Sequence, residues 1–436
     1  MSILLDEERA SSTVPSIKLL SQVTCPHCWE RFPPDQVLWI TEHVDLLGDA
    51  QLGPEQQQRF LPSRFTIEGD AIDSKGMTCR SLACPRCHLP VPRSMLEMEP
   101  LFLSILGGPA SGKSYFLTSM TWQLRKLLPL EFSVAFTDAD PAANRVLNEC
   151  EESLFLNPRE SEMTPLGNLI RKTELQGELY DTVGYGQQRV SYPRPFLFTM
   201  QPQAGHMSAH KAEATSRMLC LYDNAGEHFQ PGQDTTSSPV TRHLAHSRAI
   251  LFLFDLTQDK RFRAVCRSKD IGPAGTRDNR LSRQETLLNE AAARIRRLSG
   301  LSHHARYDRP VVVVLSKFDE WSHLCAPVAS GEPWKKTGAV KGIDVELVEQ
   351  ESQRLRQVLS QYCPETVAAA ETFASNVTYI AVSSLGKRTH TDPKTGLASI
   401  RPSEIQPHWV TVPLLYSLSK ILPGLIPRLK RRNTHT

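Results

Sequence analysis

The chain has 436 residues, 40% of them hydrophobic and 22% charged, with a formal net charge of +3. That length suits two or three domains with a sizeable core, and the charge is too small to demand nucleic acid or an anionic membrane as a partner. The first thirty residues lack the charged-then-apolar order of a secretory leader and no apolar run reaches spanning length, so the ten cysteines are expected to be reduced thiols or metal ligands in a cytoplasmic protein, not disulfides.

Residues 1–20 carry no chemical signal. Cys25-Pro26-His27-Cys28 follows and is answered by Cys84-Pro85-Arg86-Cys87-His88. Each C-x-x-C turn offers two thiolates, and two such turns supply a tetrahedral Zn²⁺ site. Redox chemistry is the alternative for such a motif, but neither copy stands at a strand–helix start. A zinc ribbon is therefore expected over 1–96, its ligands Cys25, Cys28, Cys84 and Cys87, with 29–83 inserted between its halves. Cys79 and His88 stay open as further ligands. Within the insertion, 37–44 reads as a strand and the polar 51–59 as loop or weak helix. Residues 90–100 lead straight into the next strand, so the two units are expected to touch.

The apolar run Leu101-Phe102-Leu103-Ser104-Ile105-Leu106 ends in Gly107-Gly108-Pro109-Ala110-Ser111-Gly112-Lys113-Ser114, and a helix is predicted over 115–128. Gly107, Gly112, Lys113 and Ser114 satisfy G-x-x-x-x-G-K-[ST] in its required strand–loop–helix setting. Residues with little side chain let successive N–H groups curl around phosphate oxygens at the positive end of a helix. Lys113 would reach the β- and γ-phosphates, and the Ser114 hydroxyl would ligate Mg²⁺. Gly107 to Tyr115 thus form the expected contact with a nucleoside triphosphate.

A strand is predicted over 131–137 and a helix over 141–155, with Asp140 as its cap and Pro141 in its first turn. Residues 157–194 show no sustained periodicity, a mark of functional segments in compact domains. The runs at 195–200 and 217–222 read as an antiparallel hairpin, the second entering Asp223-Asn224-Ala225-Gly226-Glu227. An acid closing an apolar strand downstream of a phosphate loop is where a second Mg²⁺ anchor belongs, here Asp223, and Gly226 would set an N–H against the γ-phosphate. A strand over 249–256 precedes a basic, turn-rich stretch at 260–283, expected to be an exposed loop. A helix over 284–298 carries Leu287, Leu288, Ala291, Ala292 and Ile295 on one side. The strand at 310–315 runs into Ser316-Lys317-Phe318-Asp319, a helix is expected over 343–362, and the strand at 377–382 leads to Ser383-Ser384-Leu385-Gly386. A helix over 412–422 is expected to close the domain, and 426–436 is expected to be a solvated basic tail, with membrane or nucleic-acid contact as the weaker alternative.

Ser316-Lys317-Phe318-Asp319 resembles the [NT]-K-x-D box of GTPases, with serine at the Asn or Thr position, at the strand end where α/β sheets bind ligands. Asp319 would accept hydrogen bonds from guanine N1–H and the 2-amino group, with the Lys317 stem over the base. Ser383 and Ser384 resemble the last guanine-contacting loop, normally S-A-K-like. In this order of motifs the chain resembles the Ras-like translation-factor class of P-loop GTPases. Through Cys84-Pro85-Arg86-Cys87-His88, Gly112-Lys113-Ser114-Tyr115-Phe116-Leu117, Asp138-Ala139-Asp140-Pro141 and Asp223-Asn224-Ala225-Gly226-Glu227 it is similar to bacterial double-GTPase families that carry a zinc ribbon.

The resemblance implies a doubly wound α/β GTPase domain over 97–425 that hydrolyses GTP to GDP and phosphate as a conformational switch. It also implies work with a second GTPase or other neighbour-encoded proteins in bacterial conflict or stress systems. It places Glu227 where many relatives carry a water-orienting glutamine, with His228 as an alternative, and asks for a threonine sensing Mg²⁺ and the γ-phosphate, Thr173 or Thr164. No arginine has a motif-fixed place near the γ-phosphate; Arg171, Arg261 and Arg263 lie in or near plausible loops. Two rivals stand beside this expectation: a P-loop ATPase, including the class whose 131–137 strand lies beside the 101–106 strand, and a scaffold that binds nucleotide without turnover.

Overall fold

The computed structural model describes residues 18–170, 180–223, 241–267, 284–302, 304–325, 331–337, 340–392 and 395–429. The chain is a mixed α/β protein whose apolar runs become one seven-stranded sheet. In chain order its main elements are β1 (Glu99–Gly107), α1 (Lys113–Phe132), β2 (Val134–Asp138), α2 (Arg145–Phe155), β3 (Phe196–Pro202), β4 (Arg217–Asp223) and β5 (Ala249–Phe254). There follow α3 (Gln284–Ser299), β6 (Val311–Leu315), α4 (Val345–Tyr362), α5 (Pro364–Phe373), β7 (Val377–Ala381) and α6 (Val412–Ile421).

The strands lie in the order β2-β3-β4-β1-β5-β6-β7. β4, β1, β5, β6 and β7 are parallel neighbours, while β3 runs antiparallel to both β2 and β4. Register brings Asp223 opposite Ile105, Gly107 opposite Leu253, and Leu315 opposite both Phe254 and Ala381. The carboxyl ends of five strands therefore share one edge of the sheet, and the loops leaving them meet there.

Both faces of the sheet are covered, which is why its strands read as near-continuous apolar runs. On one face Leu103, Ile105, Leu251 and Val314 pack with Met120 and Leu124 of α1 and Leu415 and Leu418 of α6. On the other, Ile250, Phe252 and Val313 meet Leu288 and Ile295 of α3 and Phe373 of α5. Toward β3 and β4 that second face is covered by the N-terminal unit. Phe102, Leu197, Met218, Cys220 and Tyr222 share one buried cluster with Cys25, Cys28, Trp29, Phe32 and Leu89, so the two units do touch.

The inserted residues are part of the N-terminal unit's own framework. A four-stranded sheet runs Pro90–Val91, Leu82–Ala83, Leu38–Ile40, Arg59–Phe60, three of its strands coming from the insertion. The polar stretch expected as loop or weak helix is a strand, Gly53–Gln57, paired with Leu47–Asp49. Its polarity reports exposure on an outer hairpin, not its backbone conformation.

Other boundaries shift for similar reasons. Leu128 and Phe132, four apart, carry the apolar stripe of α1 into the core, so residues 131–132 are helical and β2 begins only after Ser133, at φ +54°. Asp140 accepts the amides of Ala142 and Ala143 at 2.9 and 3.1 Å, capping a turn that precedes α2. The aperiodic region holds an antiparallel hairpin, Tyr180–Tyr185 with Gln188–Pro193, whose Val183, Val190 and Tyr192 are buried in the N-terminal cluster. Residues Lys260–Arg267 form a helix rather than a loop, anchored by the fully buried Phe262, an apolar anchor that the basic composition conceals. Ile343 lies in the strand Val340–Asp344, and Asp344 caps α4 by accepting the Leu347 amide at 3.1 Å.

Candidate functional site

The loop from Gly107 to Gly112 sits between β1 and the twenty-residue helix α1. A Cβ on Gly107 would lie 2.7 Å from the Leu253 carbonyl oxygen and 2.9 Å from Ser111 Oγ, so only glycine lets β1 turn this close to β5. Gly112, the residue preceding α1, has φ +91°, a region glycine enters without steric cost. The Lys113 ammonium folds back over the loop, donating to the carbonyls of Gly107 at 2.8 Å and Gly108 at 3.0 Å. At the end of the neighbouring β4, Asp223 is pushed above the usual carboxylate range by burial, an effect the Lys113 charge opposes. Asp223 Oδ1 and the Ser111 hydroxyl are both buried with no hydrogen-bond partner among the described residues. Native interiors rarely leave such groups unpaired. A helix N-terminus, an ammonium and two unpartnered oxygens at one strand edge suit an anion accompanied by a cation or water.

Three further loops close on the glycine loop from the β5–β7 side. Ser316, after β6, donates its hydroxyl to the Ser111 carbonyl at 2.8 Å. Lys317, at φ +56°, pairs with the fully buried Asp255 at the end of β5. Gln258 donates to the Pro109 carbonyl at 3.1 Å. Asp319 accepts a hydrogen bond from the Ser383 hydroxyl after β7, and burial pushes its carboxyl up to about 6. The Ser384 carbonyl accepts from Ser119 of α1 at 3.0 Å, and the Ser383 oxygen from the Gly386 amide at 2.7 Å. Lys317, Asp319, Ser383 and Ser384 are thereby gathered at the edge that holds Gly107 to Ser114. Tyr115 turns away from the loop, its hydroxyl donating to the Leu166 carbonyl at 2.6 Å.

Asp255 and Gln258 escape motif reading. The signal for Asp255 was present, because an acid closes the β5 run as Asp223 closes β4. Thr164 lies in a short strand opposite Ile400 and its hydroxyl donates to Glu162. Gly226, Glu227, His228, Thr173 and Arg171 lie outside the described residues. Arg261 is paired with Asp259 at 3.1 Å and Glu365 at 2.8 Å, and Arg263 donates to the Thr257 carbonyl at 2.8 Å.

The four cysteines of the two knuckles form a second centre. All four sulfurs are buried and lie within 4.8 Å of one another. Cys25 and Cys87 are 3.8 Å apart, Cys28 and Cys84 3.7 Å. A tetrahedron with Zn–S bonds near 2.3 Å has edges of about 3.8 Å, so the donor set could hold a metal ion such as zinc. The amides of His27 and Arg86 donate to Cys25 and Cys84 sulfur at 3.3 and 3.4 Å, fixing the sulfurs and favouring their anionic form. Burial pushes the Cys25 and Cys87 thiols well up, while neighbouring thiols lower Cys84. Cys79 is placed elsewhere, its thiol 3.8 Å from the Asp73 carboxylate, and His88 pairs with Asp49 at 2.8 Å. Neither belongs to the cluster.

No family model matches the chain. Over 255 residues, 55% of this chain, it is 23% identical to SaeC of Mycolicibacterium smegmatis (strain ATCC 700084 / mc(2)155), by name a candidate ESX-1 scaffolding and assembly protein. The match spans 58% of that protein, little more than half the length of the relative. Among the described residues no helix is long and apolar enough to cross a membrane.

Proposed function

We propose that the chain is a regulatory P-loop GTPase that binds GTP with Mg²⁺, hydrolyses it slowly to GDP and phosphate, and works with protein partners. One observation carries this: loops from four strands, remote in sequence, meet at one sheet edge, tied by the Ser316–Ser111 and Ser383–Asp319 hydrogen bonds. Lys113 and the amides at the start of α1 would hold the phosphates. Ser114 and Asp223 would position Mg²⁺, directly or through water, and the unpaired Asp223 oxygen suits that task. Mg²⁺ would neutralise charge on the phosphate oxygens. Asp319 would read guanine at the far end, with the Lys317 stem along the base. The ATPase class with the 131–137 strand beside the phosphate-loop strand is disfavoured, because β2 is at the sheet edge with β3 and β4 between it and β1.

Mg²⁺-dependent titration of the purified chain with GTP and ATP tests this. Tighter binding of GTP is expected, and equal or tighter binding of ATP would overturn the guanine assignment. The role that SaeC's name gives it favours a second reading, a scaffold that binds nucleotide without turning it over. Phosphate release, with and without candidate partners, separates the two.

A further inference from the structure

We propose that metal occupancy of the four-cysteine centre and nucleotide occupancy of the strand-edge site are energetically linked through Trp29 and Tyr222, an inference that rests on the nucleotide reading above. The connection is short. Tyr222 is fully buried and immediately precedes Asp223 on β4. Its hydroxyl is satisfied entirely by the first knuckle: it donates to the Pro26 carbonyl and accepts from the Trp29 indole N–H at 3.0 Å. Pro26 lies between the ligands Cys25 and Cys28, and Trp29 follows Cys28 directly.

Trp29 itself is held under strain. Its φ is +58°, a region bulky residues rarely enter and glycine enters freely. His88, the matching residue of the second knuckle, has φ +60°. Glycine would serve the turn better, yet this position carries an indole that reaches the sheet. The amide of Trp29 donates to the Cys25 carbonyl at 3.1 Å, so the turn that strains Trp29 is the one a metal would lock. The indole also stacks on His246 at 6.0 Å between ring centroids, and Tyr222 stacks on His243 at 4.6 Å. The knuckle therefore touches the chain on both sides of the stretch that includes Gly226, Glu227 and His228. Releasing the metal lets Trp29 relax, and the Tyr222 hydroxyl then loses both partners, loosening the strand end whose next residue is the carboxylate assigned to Mg²⁺. Strain persists only where its surroundings over-determine it.

Linkage of this kind is reciprocal. Zinc loading should tighten Mg·GTP binding roughly fivefold or more, and Mg·GTP should tighten zinc binding by the same factor, read as zinc retained at equilibrium against a chromophoric chelator. Stripping zinc from the full chain should also raise amide hydrogen exchange at 217–223 and 243–247. Trp29→Gly relieves the strained turn while removing the indole, so it should keep its zinc and bring the linkage factor to about one. Tyr222→Phe should do the same with the packing retained. Zinc-loaded protein that binds no guanine nucleotide overturns the reading of the strand-edge site. Protein that binds it, but shows equal zinc retention with and without Mg·GTP or full linkage in Trp29→Gly, overturns the linkage alone. Unchanged exchange at 217–223 after stripping also overturns the linkage, without reference to nucleotide.

Discussion

In the proposed GTP site, Asp319 would set both selectivity and the pH window of binding. Its carboxylate would accept two guanine donors that adenine lacks, so Asp319→Asn should weaken GTP binding and improve xanthosine triphosphate binding. Loss of a charge-assisted bond costs about 1.5–3 kcal/mol, or roughly 10- to 100-fold in Kd by nucleotide titration. Unchanged GTP affinity would remove Asp319 from the site. Burial pushes this carboxyl up to about 6. A carboxyl raised on folding binds more protons folded than unfolded, so its contribution to stability falls as pH rises from the ordinary carboxylate value to about 6. Reading guanine needs the ionised form. GTP affinity should therefore decline as pH drops through about 6, and this step should vanish in Asp319→Asn.

At the scale of elements, the tight β1–α1 turn depends on space as much as on dihedral freedom. Gly107→Ala would set a Cβ 2.7 Å from the backbone oxygen of Leu253, which cannot swing aside. Overpacking of this kind costs about 1–3 kcal/mol, to be read by denaturant unfolding, with loss of nucleotide binding. Gly167, in the short helix Leu166–Leu169, has nothing within 4 Å of its Cβ position, so Gly167→Ala should leave stability equal or raise it by a few tenths of a kcal/mol. The two knuckles are the other decisive element. The purified chain should carry about one zinc, as a four-ligand site requires, and Cys84→Ser should lower that content and open the N-terminal unit to protease. A metal-free preparation whose N-terminal unit stays protease-resistant would defeat the zinc assignment.

At the scale of the whole molecule, the proposed GTPase would need help from outside the chain to hydrolyse GTP. Glu227 stands where a water-orienting glutamine is common, and a carboxylate there would meet the like charge of a γ-phosphate. Arg261 and Arg263 are engaged by Asp259, Glu365 and Thr257. An arginine supplied by a partner can add roughly 10³–10⁵ in rate. Turnover by the isolated chain should accordingly be slow, abolished by Lys113→Ala and stimulated by a protein partner, as followed by phosphate release. Fast multiple turnover unaffected by both Glu227→Ala and His228→Ala would place catalysis on other residues.

What the amino-acid order determined by itself was local. The glycine loop and its helix, the hairpin of β3 and β4, the apolar side of α3 and the two cysteine knuckles are written in spacings of a few residues, the range over which backbone conformation and ligand geometry are set. The tertiary structure alone decided what these pieces meet. Lys317 finds Asp255 62 residues away, Ser316 finds Ser111 across 205, and Trp29 finds Tyr222 across 193. It also decided that the N-terminal unit covers the sheet toward β3 and β4, and that β2 lies at the edge instead of beside β1. Such choices depend on which buried faces fit when the whole chain is folded. No periodicity within one segment carries that information.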